Sequence, residues 1–402
     1  MALGDGPLAG MTVIDLSHVM AGPTCALMLA DMGADVIKVE KVPGGDDSRR
    51  FVPPYIEDEA AAFLVMNRNK RSLAVDLKHD EGRAVVRRLI GEADVVIENY
   101  RRGTMDRLGL GYEGLRKDNP GLIYCAISGF GRTGPYADRG GFDLIAQGMS
   151  GLMTITGEAP GRPPCKVGAP ISDVTAGILA AMGVAAAYAH KLKTGEGQQV
   201  DTSLFEAAIV HTYWQSAITF ATGQSPGPMG SAHPLNAPYQ AFETADGWMT
   251  VGAANQKNWL RLLDALEEPA VAEDPRFADN RGRMAHRADL EAALTPLFKQ
   301  RTTAEWLARL EAAGLPAGPV FDIAHMHQDR HALAREMVVE VPHATLGATQ
   351  GIGMPVKFSE TPARIDRGAP VYGQHTREVL AEQGYSPSKI EALIEAGAVV
   401  AA

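Results

Sequence analysis

What most constrains this chain is a rhythm between Thr12 and Ser128, where short β-branched runs alternate with longer helical patterns, the signature of βαβ units and a parallel sheet. Thr12–Ser17 reads as a strand. Gly22-Pro23 opens a helix through Met32, Gly33 ends it, and Asp35–Glu40 is the next strand. The pattern returns as a strand at Ser72–Leu77, a helix at Asp80–Ala93, a strand at Asp94–Tyr100, a helix at Thr104–Lys117 and a strand at Gly121–Ser128. The expected architecture is α/β, doubly wound or close to it.

Further on, Ser172–His190 reads as an apolar helix rich in small residues, followed by a strand at Gln198–Thr202 and a helix at Ser203–Thr222. Gly223–Ala237, rich in Gly, Pro and Ser, reads as a linker or active-site loop and places a domain boundary there. Tyr239–Thr244 and Trp248–Val251 flank Ala245-Asp246-Gly247, a hairpin signal, and helical patterns follow to Gly314, giving a smaller α+β domain. A short strand near Val338–Val341 and helices near Thr376–Gln383 and Ser388–Ala396 lead back to the first domain. The expected division is 1–225, 226–325 and 326–402.

Charge limits the partners. With 38 basic against 48 acidic residues the formal charge is −10, which disfavours nucleic acid and anionic membrane, so a polyanionic ligand must be held by local basic groups. The longest apolar stretch, Gly177–Ala189, reads as too short to span a bilayer. Met1–Met11 carries Asp5 and no basic cluster, so no secretory or mitochondrial address is expected and the cytoplasm is the default compartment. Three cysteines, Cys25, Cys125 and Cys165, without CxxC spacing exclude a disulfide framework and a thiolate zinc site.

Gly129-Phe130-Gly131-Arg132-Thr133-Gly134 matches GxGxxG after a predicted strand, but Pro135–Gly141 continues as loop where a dinucleotide fingerprint needs a helix N-terminus. His325, His327 and His331 cluster, the last two at i,i+4, yet no carboxylate or cysteine completes a metal site. Asp173 stands at the mouth of the apolar helix beside Ser172, a candidate cap. Two readings stand for it: a capping carboxylate, or a nucleophile or base with room for a ligand beside Ala176, Gly177 and Ala180. Asn69-Lys70-Arg71-Ser72, Glu98-Asn99-Tyr100 and Arg107 fall near predicted strand ends, which suits a phosphorylated ligand; the other reading is solvated surface charge.

Taken together, Leu8–Leu16, Ala21-Gly22-Pro23, Gly33–Glu40, Asn67–Ser72, Glu98-Asn99-Tyr100, Ser128–Gly131 with Thr133-Gly134-Pro135, Ser172-Asp173, Thr194–Gln198 and Gly373–Thr376 resemble the class III CoA-transferases. That group includes formyl-CoA, carnitine and bile-acid CoA-transferases and a related acyl-CoA racemase. The resemblance implies a Rossmann-like large domain built from both chain ends, a small domain from the middle, and an interlocked homodimer of ring-like subunits. It implies coenzyme A and acyl-CoA as substrates with no tightly bound cofactor and no metal. It places CoA contacts at Val19, Met20, Ala21, Lys41, Asn69, Lys70, Arg71, Asn99, Tyr100 and Arg107, the acyl-accepting carboxylate at Asp173, and contacts to thioester or acceptor acid at His18, Ser231 and His233. Oxyanion donors are expected among backbone N–H groups near Asp173 or in Gly227–Ala232.

Departures narrow the activity. The racemase pattern requires a histidine where this chain has Phe142 and a glutamate where it has Asn255, and phenylalanine cannot shuttle a proton. The formyl-CoA pattern has a run of four glycines where this chain has Gly230-Ser231-Ala232-His233, and a glutamine at Met20. That loop, followed by Pro238–Phe242, looks most like succinyl-CoA-dependent transferases acting on dicarboxylates such as glutarate and hydroxymethylglutarate. An acyl-CoA racemase or epimerase and a non-catalytic CoA-binding protein are the alternatives.

Overall fold

The computed structural model describes residues 6–402; the N-terminal expectation for Met1–Met11 falls partly outside them, Asp5 included. The first part of the chain forms β1 (Thr12–Asp15), α1 (Ala21–Asp31), β2 (Asp35–Lys41), β3 (Lys70–Val75), α2 (Asp80–Glu92), β4 (Val95–Glu98), β5 (Ile123–Ser128), α3 (Asp143–Met149), α4 (Ile171–Thr194) and β6 (Gln199–Ser203). They build one sheet in the order β3-β2-β1-β4-β5-β6, all parallel, and Val399–Val400 adds an antiparallel edge strand against β3. Strands such as TVID and IYCAIS are buried along nearly their whole length because helices cover both faces. On one face Ile14, Ile37, Leu73 and Val96 pack against Val86, Leu89 and Ile90 of α2 and against Leu380 and Leu393 near the C-terminus. Helices α1 and α4 pack together.

The chain divides into two compact units, one of residues 1–150, 167–211 and 330–402, the other of 151–166 and 212–329. The expected boundary at 226 therefore moves to 212, that at 326 moves to 330, and an excursion at 151–166 is added. The segment after 212 belongs with the second unit: Trp214 sets its ring edge against His233, and Gly157 accepts a hydrogen bond from the Gly230 N–H. That unit holds an antiparallel sheet of 239–243, 248–252 and 317–319 over a core of Trp259, Leu262, Leu294, Phe298 and Trp306.

Several expectations change. The strand expected from Ser72 begins at Lys70, which draws two basic residues into the sheet. The Ser203–Thr222 helix is broken into Leu204–Ile209, a 3-10 turn at Val210–Thr212 and Tyr213–Thr222, and that of Thr104–Lys117 into two pieces around Gly109–Gly111. The small-residue helix α4 runs for 24 residues, so the expectation of a stretch too short for a bilayer fails on length and composition. One stripe of it, with Ala176, Gly177, Ala180, Ala181 and Val184, is buried inside the protein, while Ile178, Met182 and Leu192 are exposed. The histidine cluster is divided between helices Ile323–Gln328 and Arg330–Ala334 by an extended Asp329, so His327 and His331 do not share a helix. Residues 131–142 are loop, so the GxGxxG segment does not run directly into a helix N-terminus; the next helix begins at Asp143.

Gly177 sets the approach of α1 to α4. A Cβ there would lie 2.5 Å from the Ala21 carbonyl oxygen and 2.6 Å from Thr24 Cβ, both closer than packing allows. Gly177→Ala is expected to destabilise the protein by about 1–3 kcal/mol through overpacking, read from urea unfolding; an unchanged midpoint would show that the two helices can part freely.

Candidate active site

In a sheet of this order the chain leaves β1 toward β2 on one side and β4 lies on the other, so the crevice outside the carboxyl ends of β1 and β4 is where a ligand fits. A cavity of about 520 Å³ occupies that place. Its wall is built from His18–Ala21 after β1, Asn99 after β4, Ser128 and Gly129 at the end of β5, Phe142 and Asp143 at the start of α3, and Asp173 in the first turn of α4. Gly129 and Gly141 meet closely, since a Cβ on Gly129 would lie 2.6 Å from Gly141 Cα, and this contact folds the long loop back over β5. A second cavity, about 540 Å³, lies against Arg335, Glu336, Met354 and Lys357. It holds neither Asp173 nor the strand-end loops.

Asp173 is not a cap. The N-cap residue Pro170 has no side chain to bond the helix, and the Ser172 N–H is taken by Asp143 Oδ1 at 2.9 Å, while Asp143 Oδ2 accepts from the Gln147 amide at 2.7 Å. Asp143, unmarked as a site by the sequence, is thus the carboxylate that caps α4. Asp173 has no hydrogen-bond partner among the described residues. Burial, and then the charge of Asp143, push its pKa up to about 7. An ionised carboxylate so poorly stabilised is a strong nucleophile.

The part of the wall after β1 is tied down by hydrogen bonds. Asn99 grips His18 at both backbone groups, accepting its N–H at 2.9 Å and donating to its carbonyl at 2.8 Å. The His18 ring bonds Tyr100 through Nε2 at 2.7 Å, leaving Nδ1 buried and unpaired. Burial, with help from Lys38, lowers its pKa, so the ring is neutral at pH 7. Lys41 is half-exposed and ion-paired with Asp47, whereas the Arg107 side chain is exposed and, among the described residues, bonds Thr104 Oγ1 alone, which leaves it available to an anion.

Asn69, Lys70 and Arg71 require correction as CoA contacts. Lys70 is fully buried, and its Nζ bonds Asp15, the Pro23 carbonyl and Asn67. Arg71 is committed to Asp35, Glu378 and Glu382. Asn69 bonds Asp31 and the 364–367 backbone. All three sit at the amino end of β3; Asn69 and Arg71 tie it to the C-terminal segment, and Lys70 ties it to β1 and α1. Ser231 and His233 lie in the second unit, where Ser231 Oγ accepts the Ala241 N–H and the His233 ring stacks on Tyr239.

An α/β sheet with a strand-end cavity and an unpaired, desolvated carboxylate defines an enzyme that works on a ligand laid across the switch point. The family model for CoA-transferase family III matches residues 8–376, and the chain belongs to that family. It is 42% identical over 382 residues to a succinate–glutarate CoA-transferase of Agrobacterium fabrum, covering 94% of this chain and 95% of the relative. A succinyl-CoA:mesaconate CoA-transferase of Haloarcula hispanica is 40% identical over 402 residues, 94% and 97% of the two chains. The crystal structure of a CAIB/BAIF family protein from Brucella suis superposes with a TM-score of 0.85 at 41% identity, covering 94% of this chain and all of that one.

Proposed function

We propose that this CoA-transferase moves CoA from succinyl-CoA to a dicarboxylic acid of the glutarate or mesaconate type, with Asp173 as the nucleophile. The observation that carries the reading is the unpaired Asp173 carboxylate in the strand-end cavity. The acids named for the relatives set the substrate class. An Asp173 oxygen attacks the thioester carbonyl, the C–S bond breaks, and CoA leaves as thiolate from a mixed anhydride. The thiolate attacks the aspartyl carbonyl, which releases the donor acid and leaves an aspartyl-CoA thioester. The acceptor carboxylate attacks that carbonyl and expels the thiolate, which then takes the acyl group from the second anhydride and frees Asp173. The thioester's free energy passes from one acid to the next, so no nucleoside triphosphate is consumed. Phe142, 78% exposed on the cavity wall, offers no proton to the α-carbon and weighs against racemisation.

His18–Ala21 and Asn99 are assigned to the thioester end of CoA, and Lys41, Tyr100 and Arg107 to its approach. Arg107→Ala is expected to weaken CoA binding about tenfold by calorimetry, through loss of a charge-assisted contact; unchanged affinity would remove Arg107 from the site. The active form is assigned as a cytoplasmic homodimer. Helix Tyr213–Thr222 buries no residue, and Tyr213 and Phe220 are 73% and 88% exposed, an apolar face suited to a second copy. The test of the whole reading is a mass-spectrometric screen of succinyl-, acetyl- and oxalyl-CoA against a panel of mono- and dicarboxylic acids. Transfer confined to monocarboxylates, or α-deuterium exchange without transfer, would overturn it.

A further inference from the structure

Val19 is a β-branched residue with φ of +69°. That left-handed conformation is costly for valine and persists only where surrounding contacts hold it. Its N–H lies 3.1 and 3.3 Å from the two oxygens of Asp46, a fully buried carboxylate whose Oδ2 is 2.8 Å from Lys38 Nζ. Lys38, equally buried, also donates to the Ser17 carbonyl at 3.0 Å. Three consecutive residues, Ser17, His18 and Val19, thus have their backbone held by Lys38, Asn99 and Asp46 respectively. Two of the residues so held, His18 and Val19, form with Met20 and Ala21 the cavity wall that shares the site with Asp173. None of the transfer steps uses Asp46 or Lys38.

We propose that Asp46, backed by Lys38, is a positioning residue for CoA transfer: it holds Val19 in the left-handed conformation and so fixes the wall against which acyl-CoA lies. The inference rests on the transfer reading above. Asp46 is surrounded by donors alone, since the Ser48 N–H and Oγ each lie 2.8 Å from Oδ1 beside the Val19 N–H and Lys38. An asparagine there keeps one oxygen for the Val19 N–H but loses the charge matched to Lys38, and its NH₂ must face either Lys38 or the Ser48 donors, which pushes the side chain off this cluster. With its anchor weakened, Val19 relaxes toward an extended conformation and the wall shifts. Glycine adopts a positive φ without steric cost and needs the anchor less.

Asp46→Asn and Asp46→Asn/Val19→Gly are compared with wild type in the full chain, well below the melting temperature of every variant, so that activity reports site shape rather than the folded fraction. The single variant is expected to raise KM for acyl-CoA at least fivefold, to lower kcat/KM at least tenfold, and to leave KM for the acceptor acid within twofold. Adding Val19→Gly is expected to recover at least fivefold of the loss. Wild-type constants in the single variant, equal rises in both KM values, or a double variant no better than the single would each overturn the inference. Should Asp46→Asn fail to fold, Lys38→Met/Asp46→Asn removes the lysine left unmatched and the same recovery by Val19→Gly is read there. CoA affinity by calorimetry separates the two claims. A wild type that transfers nothing ends the transfer reading, and the clamp then stands or falls on whether affinity drops tenfold in the single variant and returns in the double.

Discussion

Asp173→Asn is expected to lower kcat for CoA transfer by about 10³-fold or more, while CoA binding and the fold persist. The amide is nearly isosteric, and no hydrogen bond is lost with the carboxylate because the cap of α4 is supplied by Asp143. The effect on stability has a definite sign. Burial and Asp143 raise the folded-state pKa from 3.8 to about 7, so the folded protein holds this proton more tightly than the unfolded chain does. Folding is favoured by that proton at low pH, and the advantage disappears as pH rises through about 7. An asparagine cannot ionise, so at pH 8 the variant should melt at the same temperature as wild type or higher. Wild type incubated with acyl-CoA and no acceptor should carry an adduct that hydroxylamine or borohydride traps on Asp173. A folded Asn variant with near-wild-type turnover, or a trapped label on another residue, would remove Asp173 from the mechanism.

The sequence revealed those parts of this site that depend on local pattern. The βαβ rhythm gives the strand ends, and with them His18 and Asn99, because a parallel sheet brings its carboxyl ends to one edge whatever the details of pairing; Asp173 is marked by its place at the mouth of the apolar helix, where capping and chemistry both stay open until the resemblance is drawn. The sequence misled at Lys70 and Arg71, where a basic run beside a strand reads like a phosphate site. Their true partners are remote in the chain: Asp35 is 36 residues from Arg71, and Glu382 is 311. Whether a cation is free or already matched is a tertiary fact. The same holds for Asp143, which caps a helix 29 residues away. It holds as well for Val19, whose left-handed backbone no residue preference announces. Asp46 carried no signal as a site either, since its role appears only once β2 has brought Lys38 beneath the loop after β1.

Transfer is expected to depend on pH in a way that reports Asp173 directly. The nucleophile is the carboxylate, so kcat/KM for acyl-CoA should rise with pH on a limb centred near 7, falling about tenfold per unit well below it and levelling above pH 8. The carboxyl groups of the acids titrate below 7, the first near 4 and the second somewhat higher because of the first charge, so they do not produce a limb centred near 7. Asp143 contributes to its position as a like charge, and Asp143→Asn keeps an acceptor for the Ser172 N–H while removing that charge. The limb should therefore move to lower pH in this variant without reaching the ordinary aspartate range, since burial, the larger cause, is unchanged. Activity at pH 5.5 relative to pH 8 then increases even if the plateau drops. A wild-type profile flat from pH 5.5 to 8 would mean that Asp173 ionises as an ordinary surface carboxylate. A limb that stays at 7 in Asp143→Asn would assign the whole shift to burial and leave Asp143 with its capping role alone.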